Sequence, residues 1–375
     1  MKWRLSYLQF SLRSFLIVAI LFGMVLAWIG KVRHRVQQRR VVTQLQSRGA
    51  GVGYDYQVAS GWDSAKWSPP GPKVLRMLLG DDAFAEVDTV CLVGRRGSYP
   101  STPDDLASLA AFPRLQVLHI GGASFGDGSL AEIVRHKELF RLGFENTKVT
   151  ARGLRDLRPL ERLSALELCG RGIDDEALDA VSELQHLERL QLYHTSISSG
   201  GWGKLADLRT LKSLDIYPGN VIGDNELAHI SHLSQLEALR LFQGAVSDDG
   251  VRHLAGLTHL RELQLNRTRV SDYGIEMISR LPRLKRLELD HTTITDAGIT
   301  HLEKAVKVEW LRVDGTQVTD EGIAKLKSLR GLKELWVGPH VTKGAAERLQ
   351  QQLPKCNIRG WDSAGLERFS LLKKP

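Results

Sequence analysis

The chain has 375 residues, a formal net charge of +8, a pI near 9.4 and three cysteines. The cysteines (Cys91, Cys169, Cys356) are odd in number and far apart, which excludes a disulfide framework and a zinc site. The charge does not describe a nucleic-acid surface either: eight bases and no acid lie in the first 40 residues, and the other 43 Lys and Arg balance 43 Asp and Glu, so nucleic acid is not expected as a partner.

Residues 1–13 are read as an N-terminal tail. The run Ser14 to Gly30, SFLIVAILFGMVLAWIG, then carries no charge over 17 residues and lies between Arg13 and Lys31. As a helix it spans about 25 Å, a little short of the roughly 30 Å hydrocarbon core, and snorkelling of the flanking bases covers the difference. A single-pass transmembrane anchor over 14–30 is expected. The competing reading is a signal peptide cleaved after Val25-Leu26-Ala27; against it, the apolar run continues through Trp28 and Ile29 into a basic block. Three bases precede the segment and five follow it closely, a narrow margin that favours a cytoplasmic repeat region.

Residues 31–48, KVRHRVQQRRVVTQLQSR, contain no glycine or proline and are read as a basic juxtamembrane helix or stalk with arginines at the lipid head groups. Residues 49–86 form an N-terminal cap: Gly49, Gly51 and Gly53 end the helix, 51–58 alternates as a strand, 59–73 is a proline-rich loop, and 74–87 reads as a short helix.

From Val87 the spacing L-x-x-L-x-L recurs. Its leading positions are Leu115, Leu139, Leu163, Leu187, Leu211, Leu236, Leu260, Leu284, Val308 and Leu332, every step being 24 except one of 25 between Leu211 and Leu236. The period-2 end suits a short strand and the following apolar positions a helix, so 87–358 is predicted to be an α/β solenoid, a curved parallel sheet with helices on its convex side. Residues 359–375 are left as a C-terminal tail. Asp at one position in seven units (Asp127, Asp174, Asp224, Asp248, Asp272, Asp296, Asp320) is expected to cap each helix; calcium is the alternative, disfavoured because the carboxylates stack one per turn instead of converging.

With the usual Asn after the strand replaced by Thr (Thr268, Thr292, Thr316) and a Val/Ile-Ser/Thr-Asp-x-Gly segment following, the repeat resembles a bacterial form of the leucine-rich repeat. The opening Phe10-Ser11-Leu12-Arg13-Ser14-Phe15-Leu16 also resembles the start of membrane-anchored bacterial proteins with this repeat. The resemblance implies a binding scaffold.

No nucleotide-binding, hydrolase or metalloprotease motif occurs. His194 and His291 follow strands but lie four repeats apart, about 19 Å along the stack, too far to share a substrate atom. GWDSA occurs at 61–65 and again at 360–364 without a physical reason. Neither a cofactor nor a metal is expected. The concave strand face remains. There Tyr193, Tyr217 and Phe242 occupy one position in three successive repeats and should form a ridge, with Arg189 and Arg240 flanking it and Asp215 between; Glu288, Asp290 and Asp314 form an acidic end. A protein partner is expected on this face, with carbohydrate or cell-envelope binding outside the membrane as the alternative.

Overall fold

The computed structural model describes residues 12–55, 85–93, 102–220, 222–362 and 367–371, and the chain divides into two compact units, Met1–Gln116 and Val117–Pro375. In the first unit α1 (Leu12–Ser47) runs for 36 residues, passing without a break through the segments expected as anchor and stalk. No helix among the described residues is long and apolar enough to cross a membrane. The large residues of α1 from Phe15 to Leu26 are more than half exposed.

The other end of α1 is anchored. Val42 and Leu45 are buried, and the helix stops where Gly49 adopts φ 99°. Gly49 N donates to Gln46 O at 2.9 Å and Ala50 N to Leu45 O at 3.0 Å, the paired bonds that satisfy the last carbonyls of a helix. Arg48 pairs with Asp105 in α2 (Pro103–Ser108). β1 (Gly51–Tyr54) lies antiparallel to β2 (Val87–Leu92). The predicted loop 59–73 and the predicted helix up to residue 84 lie outside the described residues.

The second unit is the solenoid. Its parallel strands are β3 (Val117–Gly121), β4 (Arg141–Glu145), β5 (Ala165–Cys169), β6 (Arg189–Tyr193), β7 (Ser213–Ile216), β8 (Ala238–Phe242), β9 (Glu262–Asn266), β10 (Arg286–Glu288), β11 (Trp310–Val313), β12 (Glu334–Val337) and β13 (Asn357–Trp361), in sequence order. β14 (Glu367–Leu371) then turns back antiparallel to β13, with Ile358 opposite Leu371. The segment expected as a tail from residue 359 therefore supplies the end of one strand and all of another. Because the register repeats every 24 residues, Leu263, Leu287, Leu311 and Leu335 stack directly on one another and are fully buried. Full burial of such a leucine contributes about 1.5–3 kcal/mol, realised only when its neighbours are folded.

The expected role of the aspartates is corrected at six of the seven positions. Only Asp174 is an N-cap, accepting from Ala177 N at 3.0 Å. In the others the cap is the preceding residue, Ser247, Ser271, Thr295 or Thr319 in the regular repeats, and the aspartate is the first helical residue. Its carboxylate reaches across to the next repeat. Asp272 accepts Thr295 N and Oγ1, each at 2.7 Å, and Asp296 accepts Thr319 N at 2.8 Å and Oγ1 at 2.6 Å. Asp127, Asp224, Asp248 and Asp320 do the same. Electrostatics and hydrogen bonding act together here: the carboxylate favours the positive end of its own helix while satisfying an N–H and a hydroxyl of its neighbour.

After each strand from β3 to β11 the backbone turns through a left-handed residue, from Gly122 and Asn146 to His291 and Gly315. The threonines that stand for the usual asparagine close this turn: Thr268, Thr292 and Thr316 are buried and donate to the carbonyls of Leu265, Leu289 and Val313 at 2.6–2.7 Å. One repeat differs. Pro218 is an inserted residue, which accounts for the 25-residue step, and the turn there uses half-buried Asn220, whose amide donates to Tyr217 O at 2.7 Å and Leu192 O at 3.0 Å.

Candidate functional site on the concave strand face

Side chains alternate along each strand, so those between the inward leucines form three columns on the concave face. The third column holds Tyr193, Tyr217 and Phe242. Their rings stack, with centroids 3.9 Å apart and planes 9° apart for Tyr193 and Tyr217, and 4.6 Å and 7° for Tyr217 and Phe242. Parallel strands of equal register bring equivalent positions to nearly the strand spacing, which sets these distances. All three residues are half-buried. Burial, and then the neighbouring Tyr217 hydroxyl, pushes the Tyr193 phenol well above its usual range.

The second column is an ion-pair network. Arg240 donates to Asp215 at 2.6 Å and through two nitrogens to Glu262 at 2.5 and 2.9 Å. Gln191 completes Asp215 with a bond of 2.7 Å. Burial opposes the charge of Arg240, but Glu262 and Asp215 outweigh it and raise its pKa. Burial likewise opposes the charge of Glu262, and the guanidinium of Arg240 overrides it and lowers the carboxylate. Arg189 differs: it is exposed and, among the described residues, no ion pair or hydrogen bond engages its guanidinium.

The acidic end is not the open acidic surface that the sequence pattern implies. Glu288, Asp290 and Asp314 are 5%, 5% and 6% exposed. Arg286 pairs with Glu288 at 2.5 Å, and Arg312 with Asp314 at 2.6 Å. The next column of the same strands supplies these bases, so the acids are neutralised before any partner arrives. Asp290 is the exception. Arg312 approaches it only to 3.4 Å, no hydrogen bond reaches its carboxylate, and burial pushes its pKa up. Asp290, His291 and Asp314 bring potential ligand atoms within 4.8 Å of one another, but the Arg312 guanidinium already supplies the cation there.

A second aromatic group lies toward the C-terminal strands. Trp310 and Trp336 have centroids 5.9 Å apart, Trp336 and Trp361 5.3 Å, while Arg286 lies 4.1 Å from the Trp310 ring and Arg312 4.7 Å from that of Trp336. Sequence reading along single columns finds only Trp336. The three tryptophans sit on a diagonal, in the first, second and third columns of successive strands, and a reading of neighbouring columns together finds them. His194 and His291 are exposed and left-handed, with φ 49° and 57°, and their rings lie against Gly219 and Gly315 of the next repeat.

A family model described as "Leucine Rich repeat" matches residues 256–279. No curated protein matches the chain. The crystal structure of an internalin from Listeria monocytogenes is similar over 77% of this chain and 93% of its own, with 16% sequence identity and a TM-score of 0.47. The matched unit is one turn of a ladder whose strands β9 to β12 repeat in register with buried leucines and whose turns are closed by Thr268, Thr292 and Thr316, and that ladder makes the second unit a leucine-rich repeat solenoid.

Proposed function

We propose that this protein is a membrane-anchored, non-catalytic scaffold that binds another protein through its concave strand face, with Tyr193, Tyr217 and Phe242 as the contact ridge. The stack of these three rings carries the reading. The solenoid interior is already filled by leucines, so the rings complete no core, yet they are held in order beside matched charges, the composition of a protein-binding hot spot. Protein is favoured over carbohydrate by the same geometry. A sugar stacks on a ring face, and both faces of Tyr217 are covered by its neighbours, which leaves ring edges for contact. Glu288, Asp290 and Asp314, buried and paired or screened by arginines, serve the framework in this reading.

Attachment to the membrane is assigned to the N-terminal part of α1. The exposed run from Phe15 to Leu26, followed by the basic stretch 31–48, supports it. The base count favours a repeat region on the cytoplasmic side, and a reporter fused after Pro375 reads the side directly.

Proximity labelling from the full chain in its native membrane tests the scaffold role. Tyr217→Ala with Phe242→Ala should remove a protein neighbour that the parent labels. If a folded double variant labels the same neighbours, the recognition surface is elsewhere. Extraction by alkaline carbonate from that membrane would overturn the anchor.

A further inference from the structure

Beside the ridge, β5 to β8 enclose a hollow of about 500 Å³ on the concave face, within the usual range for binding sites. It exists because the first column is small there: Ala165 and Ser213 flank Arg189 and Ala238 follows Ser213, where other repeats carry Arg141 or Glu262. Four acids and four bases line it, so it is neutral by count. The pairing is not neutral. Glu167 faces Arg141 at 3.5 Å, Glu188 pairs with Lys212 at 2.6 Å, Asp215 with Arg240 at 2.6 Å, and Glu237 with Arg261 outside the hollow at 3.4 Å. Every acid has its base, and Arg189 alone is left with an uncommitted charge.

We infer that this hollow recognises a carboxylate on the bound protein, carried by an extended segment that also meets the ridge. This rests on the reading of Tyr193, Tyr217 and Phe242 as the contact surface. Arg189 and Tyr193 end the same strand four residues apart, about 13 Å at the rise of a β-strand. An extended peptide running alongside therefore presents its acidic side chain and its apolar one four residues apart. A guanidinium holds a carboxylate through two parallel hydrogen bonds. With every acid of the hollow already paired, Arg189 leaves one uncommitted positive charge, which a single carboxylate matches and a doubly charged phosphate exceeds.

The test is selection of a displayed library of random twelve-residue peptides on the full chain in detergent, followed by fluorescence anisotropy with the enriched peptides. The inference expects Asp or Glu four residues from an aromatic or large aliphatic residue, and at least a tenfold loss of affinity in Arg189→Ala or when the peptide acid is replaced by its amide. Arg189→Lys should retain part of the affinity, and the melting curves of both variants should match the parent. Enriched peptides that need Tyr217 and Phe242 but show no acidic preference overturn the inference and leave the ridge reading standing. Peptides indifferent to both Arg189 and the ridge, or no enrichment at all, overturn both.

Discussion

A Cβ atom added at Gly298 would lie 2.5 Å from Oδ1 of Asp272, the carboxylate that clamps the cap of the same helix from the preceding repeat. The glycine of the Asp-x-Gly segment is thus fixed by the aspartate one repeat earlier. Gly153, Gly201, Gly250, Gly274 and Gly322 stand in the same relation to Asp127, Asp175, Asp224, Asp248 and Asp296. The exceptions follow the same cause. The repeats whose first helical residue is Ala151 or Ser199 have no such carboxylate, and the repeats after them carry Ala177 and Glu226 in place of the glycine. Glu226 even reverses the clamp, accepting from Ser199 Oγ of the earlier repeat. At the last unit, one residue shorter, Asp320 still holds Thr342 but Ala345 takes the third helical position.

Gly298→Ala should cost about 1–3 kcal/mol, as overpacking does, and Asp272→Ala a similar amount through two lost hydrogen bonds to a charged group. The combined variant should be more stable than the sum predicts, by about 0.5 kcal/mol or more, since removing the carboxylate makes room for the methyl. Urea denaturation of the four proteins measures the coupling. Additive losses would disprove the steric link.

Leu289→Ala, at a fully buried position near mid-stack, should cost about 2–5 kcal/mol. Thr295→Ala removes the hydroxyl that caps Ala297 N at 3.2 Å and that donates to Asp272, and should cost about 1–2 kcal/mol. Chelator should leave both melting curves unchanged, since the clamp needs no ion. A melting temperature lowered by chelator in the parent but not in Asp272→Ala would revive calcium.

The ladder was legible because a 24-residue period in leucines is a property of sequence that survives folding unchanged. The aspartates were legible only to within one position, since both a cap and a first-turn residue favour acids, and only the ψ and the partner of the preceding Ser or Thr distinguish them. The ring column was visible for the same reason as the leucines. The burial of Glu288, Asp290 and Asp314 was not, because Glu288 and Asp314 are covered by Arg286 and Arg312 two residues before them and Asp290 by Arg312 of the next repeat, and charge pairing along and across strands leaves no periodic trace.

Asp290 and Glu262 should respond oppositely to acid. The pKa of Asp290 is raised by burial, with Asp314 and Glu288 adding to the shift and Arg312 and His291 opposing it. Its charge therefore weakens the fold at neutral pH, and this cost disappears as pH falls through the raised folded value. Asp290→Asn should accordingly raise the melting temperature at pH 7, with the gain shrinking toward acid. Glu262 has the lowered value, despite burial, because of Arg240 and Arg286. Its stabilisation is complete above the unfolded pKa and is lost as pH falls through the folded one, so Glu262→Gln should destabilise at pH 7 and become neutral in acid. Parallel pH profiles for the two variants would contradict the assigned environments.

The ridge variants separate structure from recognition only if the stack itself is accounted for. A surface pair of substitutions ordinarily changes stability by under about 0.5 kcal/mol each, but Tyr217 is stacked on both sides, and each aromatic contact contributes about 0.5–1.5 kcal/mol. Tyr217→Ala with Phe242→Ala should therefore cost about 1–3 kcal/mol. Tyr217→Leu keeps apolar area while removing the ring, and Phe242→Ala alone leaves the Tyr193–Tyr217 pair intact. Phe242→Ala should lose about half as much stability as the double variant while losing most of the partner labelling, because it takes one ring edge from the ridge and leaves one stacked pair in place. If stability and labelling fall in proportion across all three variants, the rings serve the solenoid, and recognition must be sought at Trp310, Trp336 and Trp361.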